Sequence, residues 1–587
     1  MDESERERMA RLRDRNERRR ARGKPTWDLE AFPPGSEQAV EPSYADPDGP
    51  TMTLSRSTLE RAEQGGDPRR RLAVSTAIFG AATALSRVFG LVREMVAGYY
   101  FGVRGPINAF TVAYQIPNLM RALVADAAVS GAFVPVFSEL IEKGDRRRAW
   151  RVASTLFWLM LLGLTALTAF YIVIAPWVIG IFGDPGSHRA LAVGLSRILF
   201  PMVALLGISG VIVGILNTYD HFTVPALSPV FWNIAIIAGL TLGVPHAHSV
   251  NGKLYVYAVS VLIATVIQVF LPVPWLRGRD GHLQLVLDWR DPAVKRVFKL
   301  MLPVTLGLGL INVNATIDTF FASRLLNANL APAAIQKAFL VYMLPQGMFS
   351  VAIATVLFPS LSRFAARGDI DGFRATVSNG LRQIAFLLMP AAAFSAVLAE
   401  PIIRLLFQRG AWTPGQTPVV AGALAAFSAG LVFNGAMLML NRAFFSLQSN
   451  WTPTIIALGN LFLNALLDLV FYRFGVWGIP LSTALCNVVA TWALLVLMRR
   501  RLGGLDGTRI ASTVTRVVVA SSLVALVGYV VWKPLDGLVG RSFPGQFASL
   551  GAALVAAVVV YFAACSLLRV REMQALLSLR GRLRSAR

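Results

Sequence analysis

Charge, cysteine and histidine are scarce in this sequence. Only 15% of its 587 residues are charged and 55% are hydrophobic, which excludes an ordinary water-soluble domain. Its two cysteines, Cys486 and Cys565, both fall inside apolar runs. They have no metal-ligand spacing and read as small packing residues, not as a disulfide. There are five histidines, of which His221, His246 and His248 lie near loops. No HExxH, P-loop or GxSxG motif occurs, so no catalytic reading arises. Acidic residues are outnumbered 33 to 56, for a net charge of +23. Residues 1–71 hold 15 basic and 15 acidic residues, so that segment is neutral and the excess belongs to the apolar remainder. Basic residues there fit the cytoplasmic loops of a membrane protein, and nucleic acid is not an expected partner.

What the chain has in abundance is apolar runs, recurring from about residue 73 to 568. The expected fold is an all-α polytopic membrane protein with about fourteen transmembrane helices. Candidate spans are 73–100, 107–140, 149–182, 189–217, 223–246, 254–276, 294–325, 333–364, 375–407, 417–446, 452–473, 477–498, 510–532 and 546–568. The loop sequences EKGDRRRAWR, RGRD with WRDPAVKRVFK, SRFAARGDIDGFR and MRRRLGGLDGTR are basic, whereas GDPGSH, VPHAHSVNG and LLNANLAPAA carry almost no Lys or Arg. The positive-inside rule then puts both termini in the cytoplasm, which requires an even number of crossings. Residues 1–71 are polar, rich in Arg, Glu and Pro, and read as a disordered cytoplasmic tail. Residues 571–587 form a short basic tail on the same side.

An internal repeat divides the apolar part. AYQIP at 113–117 resembles VYMLP at 341–345, FVPVFSEL at 133–140 resembles LFPSLSRF at 357–364, and APWVIGIF at 175–182 resembles EPIIRLLF at 400–407. Leu216-Asn217 with Pro225 recurs as Leu440-Asn441 with Pro453. The separation between the copies hardly changes from one motif to the next, which is too constant for chance. Six helices separate the copies, so they run the same way across the membrane. This predicts two pseudo-symmetric six-helix lobes, 72–277 and 278–503, with two further helices in 504–570. A site between such lobes is a common arrangement for alternating access.

Charged residues inside the spans mark the site. A charge at bilayer depth costs about 2.5–3.5 kcal/mol or more, so it usually faces a cavity and has a role. Arg87, Arg93 and Glu94 lie in AATALSRVFGLVREMVAGYY, the first span, and Arg121 and Asp126 in the second. Planar guanidiniums at different depths suit a large anionic ligand, because each can pair bidentately with phosphate. Pairing of Arg93 with Glu94 is the alternative for those two, and it leaves Arg87 unexplained. In the second lobe Asp318 lies in the seventh span, and Asn464 and Asp468 share a face of the eleventh, four residues apart. Hard oxygen ligands there suit a small cation or a proton, and an interhelical hydrogen-bond network is an equal reading. Arg197, Glu400 and Arg404 lie near helix ends and read as surface anchors.

SRVFGLVRE at 86–94, followed by AYQIPNLMRALVADAAVSGAFVPVFSE at 113–139, resembles the MurJ/MviN family of lipid II flippases. Its superfamily also holds MATE drug exporters and polysaccharide flippases. The likeness continues through TVLFPSLSRFA and LNRAFFSLQSNWTPT and covers about residues 73–500. It implies that Arg87, Arg93 and Arg121 line the cavity and contact the pyrophosphate of a lipid-linked disaccharide-pentapeptide. Glu94 and Asp126 stand where members carry acidic residues. It further implies transport across the bacterial cytoplasmic membrane by alternating access, coupled to membrane potential or to an ion. Asp318, Asn464 and Asp468 are the candidates for that coupling, with a bound monovalent cation as the one cofactor left open. The partners implied are lipid II or a similar polyprenyl-pyrophosphate glycan, membrane lipids, and cell-wall synthesis proteins meeting the amino-terminal tail. Asn108 replaces an Asp found in some members, and Leu340 an Arg found in many. Lys337, three residues before Leu340, either compensates or sits at the membrane surface. Two other functions stay open: export of another polyprenyl-linked glycan or a drug, and a non-transporting membrane scaffold.

Overall fold

In a computed structural model the described residues are 68–573, apart from 125, 184–187, 220, 222, 280 and 450. Side chains are described outside 68–81, 124–131, 302–304 and 306–311. The expected tails therefore fall outside the description, except for residues 68–71 and 571–573, and so does the side chain of Asp126. The chain divides into two units, Met1–Val74 and Ser75–Arg587. Of the first, only the beginning of a helix at residues 68–74 is described.

The described residues form nineteen α-helices and no strand. In the first half of the chain these are α1 (Pro68–Phe101), α2 (Ile107–Val124), α3 (Asp126–Glu142), α4 (Arg146–Ile181), α5 (Arg189–Leu199), α6 (Met202–Thr218), α7 (Thr223–Gly243) and α8 (Val250–Phe270). Then come α9 (Pro292–Leu325), α10 (Ala331–Pro345), α11 (Val351–Ala366), α12 (Ile370–Val397), α13 (Ala399–Phe407), α14 (Thr417–Ala429), α15 (Leu431–Ser446), α16 (Trp451–Phe471) and α17 (Gly478–Arg501). The last two are α18 (Gly507–Val539) and α19 (Phe543–Leu567). This is a multi-pass membrane protein. Ten helical stretches among the described residues are long and apolar enough to cross a bilayer, or eleven if α14 and α15, bent by 44°, form one span. The long stretches outside that number are α1, α2 with α3, and α9.

Helix starts at the basic end are set by acidic caps. Asp145, Asp291 and Asp369 accept hydrogen bonds from the backbone N–H groups of Arg148, Ala293 and Gly372, which the first helical turn otherwise leaves unpaired. Asp291 also pairs with Arg148 at 3.1 Å, tying the α9 start to the α4 start. Burial opposes ionisation of Asp291, but the Arg148 guanidinium and the Ala293 N–H outweigh it and hold its carboxyl below the usual range.

The internal repeat reappears as local geometry. Gly144 and Gly368 both turn with φ of +79° and +64°, where glycine escapes the Cβ penalty. Asp145 N donates to Leu140 O, and in the second copy Asp369 N donates to Phe364 O. Gly144 N to Ile141 O and Gly368 N to Ala365 O match in the same way, a helix-ending turn written twice. The hydrogen bond from His221 N to Leu216 O likewise has its counterpart in Ser449 N to Phe444 O.

A continuous apolar core runs through both halves, and a separate cluster joins α18 and α19 to α12 through Phe386, Val517, Val524 and Tyr561. The Tyr561 hydroxyl donates to Phe386 O, so this polar tip is satisfied inside the apolar packing. Cys486 and Cys565 are buried and unpaired. Arg404 is also buried, paired with Asp536 of α18, so it is an interhelical tie and not a surface anchor.

Candidate functional site

Two opposite ends of the bundle tie the halves together differently. At the basic end Arg296 pairs with Glu139 at 2.7 Å, and Trp158 Nε1 donates to Gln284 O. At the other end the ties are mostly neutral. Gly105 N donates to Asn329 O, Ala411 N to Tyr99 O, and Val103 N to Gln416 Oε1. Arg324 of α9 donates to the carbonyls of Ile181 and Gly180 at the C-terminal turn of α4, where Gly180 O also accepts from Gly183 N.

Asn108 sits in the middle of this neutral end, fully buried. Its amide nitrogen donates to Val103 O and Gly105 O, both at 3.0 Å, and its oxygen accepts from Ala333 N at 2.9 Å. An ionised Asp has no donor for the two carbonyls. The Asn is thus fitted to this contact between the starts of α2 and α10.

One turn and more below that end lies a charged knot. Arg93 pairs with Glu94 at 2.7 Å, and Lys337 of α10 reaches the other carboxylate oxygen at 2.5 Å. Side-chain exposures are 16%, 14% and 5%, so Lys337 is interior and not at a membrane surface. The Arg93 guanidinium also lies 4.8 Å from the Trp232 ring centre. Together with Tyr114, Tyr257 and Gln336 these residues line a cavity of about 50 Å³. That is room for a few waters and far too little for a disaccharide. The arrangement is a plug, with one carboxylate shared by cations from both halves.

Arg87 is half-buried, deeper along α1, and its guanidinium lies against Gly347, where an added methyl group would collide with it. Gly347 belongs to a five-residue π-turn, Gln346–Ser350, that follows Pro345 and joins α10 to α11. Arg121 donates to Asn118 Oδ1 on its own helix at 3.0 Å and has a further partner. Each of the three arginines thus has its own contacts, and Asp126 lies in α3 with its side chain undescribed.

The second-half group is gathered. Asn464 Nδ2 donates to Asp318 Oδ1 at 2.6 Å and to Asp468 Oδ2 at 3.3 Å. Ser482 donates to Asp468, and Thr483 to Asp318 Oδ2 at 3.4 Å. Asp318, Asn464, Asp468 and Ser482 are buried, and Asn464 Oδ1 has no hydrogen-bond partner among the described residues. Sequence reading missed Ser482 and Thr483 as site residues and left Lys337 open between compensating for Leu340 and sitting at the membrane surface. The Ser-Thr pair inside the apolar run GIPLSTALC was the available signal.

A family model described as lipid II flippase MurJ matches residues 97–546. The chain belongs to the MurJ lipid II flippase family. Members of this family are transporters, not catalytic enzymes. A probable lipid II flippase MurJ of Synechocystis is 31% identical over 494 residues, covering 81% of this chain and 90% of the relative. The lipid II flippase MurJ of Burkholderia cenocepacia is 32% identical over 71% of this chain and 82% of its own length. Among solved structures, a lipid II flippase MurJ in an inward closed conformation matches with TM-score 0.70 at 23% identity, covering 84% of this chain and 98% of that one. An inward-facing MATE multidrug transporter of the MOP superfamily matches with TM-score 0.60 at 17% identity, over 70% and 94%. At those identities the structures speak for the fold alone.

Proposed function

We propose that this chain moves lipid II, or a closely similar polyprenyl-pyrophosphate glycan, across the bacterial cytoplasmic membrane. It does so by alternating access between two six-helix lobes, with fourteen crossings and both termini in the cytoplasm. The observation that carries this reading is the Arg93–Glu94–Lys337 knot, which joins α1 to α10 beneath the neutral end. By the positive-inside rule that end faces outward, so this state is closed to the outside, while Arg296–Glu139 also joins the halves at the cytoplasmic end. Arg87 and Arg121 then meet the pyrophosphate from the cytoplasmic side. Phosphate oxygens compete with Glu94 for Arg93, and withdrawal of Arg93 loosens the knot that holds the outer end shut. Binding thus favours the other state only through this difference in contacts between the two states. Asp126 is assigned to the same site on sequence grounds.

Resetting is assigned to Asp318, Asn464 and Asp468. Two buried carboxylates joined by one amide, with the amide oxygen unpartnered, suit a monovalent cation bound between α9 and α16. A cation crossing part of the membrane field gains about 2.3 kcal/mol per charge per 100 mV, enough to bias a two-state cycle. The superfamily fold also serves drug export, but a cavity edged by Arg93 and Lys337 suits an anion better than a cationic drug. The test is to deplete the protein in cells and identify the lipid-linked sugar that accumulates on the inner leaflet. Accumulation of lipid II supports the proposal; unchanged lipid II with accumulation of another glycan assigns a different substrate.

A further inference from the structure

A second cavity lies far along the chain from the site above, where the start of α18 and the end of α19 meet the side of α12. It measures about 210 Å³, larger than the plug cavity. Arg382, Arg509, Arg516 and Arg571 line it, with the hydroxyls of Thr508 and Ser512. Two carboxylates stand nearby: Glu572 lies 3.3 Å from Arg382 and Asp506 3.6 Å from Arg509. Four cations against two anions leave an excess of two positive charges. Donors are also in excess. Arg382 Nε, though close to Glu572, is not aligned for a hydrogen bond and has no such partner among the described residues. Arg516 donates through Nη1 to Arg569 O at 3.0 Å, leaving the other arms of its fork. Asp506 precedes α18 without capping it through its side chain, so the first N–H groups of that helix also face this region.

We propose that this cavity binds the phosphate headgroup of an anionic phospholipid in the leaflet at the basic end. Forked guanidiniums, hydroxyls and a helix start are a matched set for phosphate oxygens. The choice of a lipid follows from the surroundings. Val518, Val519, Phe562 and Leu567, just inside the helix ends, are 46%, 48%, 39% and 84% exposed and continue the cavity as an apolar surface for acyl chains. The adjoining carboxy-terminal segment does not supply the anion, because residues 574–587 contain four arginines and no acidic residue. Such a lipid clamps α18 and α19 against α12, the seam that the separate apolar cluster already forms.

The experiment uses the full-length protein in neutral detergent, titrated with phosphatidylglycerol, phosphatidylcholine or inorganic phosphate. Bound copies are read by native mass spectrometry and stability by thermal unfolding. Phosphatidylglycerol is expected to remain bound and to stabilise the protein. The exposed substitutions Arg509→Gln, Arg516→Gln and Arg571→Gln should each weaken it about fivefold, and together roughly 100-fold. Arg541→Gln, an exposed arginine at the opposite end, should leave it unchanged. Equal binding of phosphatidylcholine, equal stabilisation by inorganic phosphate, or a triple variant that binds phosphatidylglycerol as before would each overturn the proposal.

Discussion

Lys337→Met isolates the contact that holds the outer end shut. Methionine keeps most of the stem volume and removes the ammonium from Glu94, while Glu94 retains Arg93 at 2.7 Å. The loss is therefore mainly the charge-assisted hydrogen bond to the carboxylate, about 1.5–3 kcal/mol, with a longer one to Glu94 O at 3.2 Å, and not the cost of an abandoned buried charge. Glu94→Gln is the harsher change. It leaves Arg93 and the almost fully buried Lys337 both unpaired, for which about 3–5 kcal/mol is the appropriate scale. Because the Lys337–Glu94 pair exists only when α1 and α10 are together, its loss should shift the two-state balance toward outer opening by roughly 10- to 150-fold. Cysteines introduced at Arg104 and Ala328, which flank the Gly105–Asn329 hydrogen bond, carry spin labels that report the separation. The native Cys486 and Cys565 are buried and leave the labelling specific. Pulsed dipolar measurement should find a short distance in the parent and a second, longer population in Lys337→Met. Lys337→Arg should restore the short one. A distance distribution unchanged by Lys337→Met would refute the idea that this knot closes the outer end.

Three other outcomes are expected. Asp318→Asn or Asp468→Asn should slow turnover without weakening pyrophosphate binding, and the double variant should ignore collapse of the membrane potential; retained sensitivity would reduce the cluster to a packing network. Asn108→Asp should destabilise the closed end by about 1–3 kcal/mol through the amide donor lost to Val103 O, Gly105 O keeping the Asn108 backbone N–H, seen as faster amide exchange around residues 103–108. A chain starting near Arg70 should insert and support growth; failure to support growth despite normal insertion would give the amino-terminal tail a function.

Much of the fold was legible because membrane helices announce themselves by length and hydropathy. The repeat was legible because proline-containing motifs recur in both halves at a nearly constant separation. The Gly144-Asp145 and Gly368-Asp369 turns, one in each copy, carry the same hydrogen bonds. Asp318, Asn464 and Asp468 were readable as a group because an i, i+4 pair shares a helix face. Lys337 was not, since its burial depends on how α10 meets α1, a contact between residues 243 apart. Arg87 shows the same limit. Its charge predicted an inward-facing side chain, but only the packed structure reveals that it lies against Gly347. The buried Arg404–Asp536 pair was misread as an anchor because proximity to a helix end says nothing of what a neighbouring helix covers.

The central claim is that cavity arginines carry a lipid-linked pyrophosphate across the membrane. Its most direct test is lipid II translocation in proteoliposomes containing the purified full-length protein, comparing the parent with Arg87→Ala, Arg93→Ala and Arg121→Ala. The account predicts translocation by the parent, loss in each Ala variant with normal insertion, and partial recovery with Lys, which lacks the bidentate fork. Translocation at the parental rate by any two of the Ala variants would contradict it.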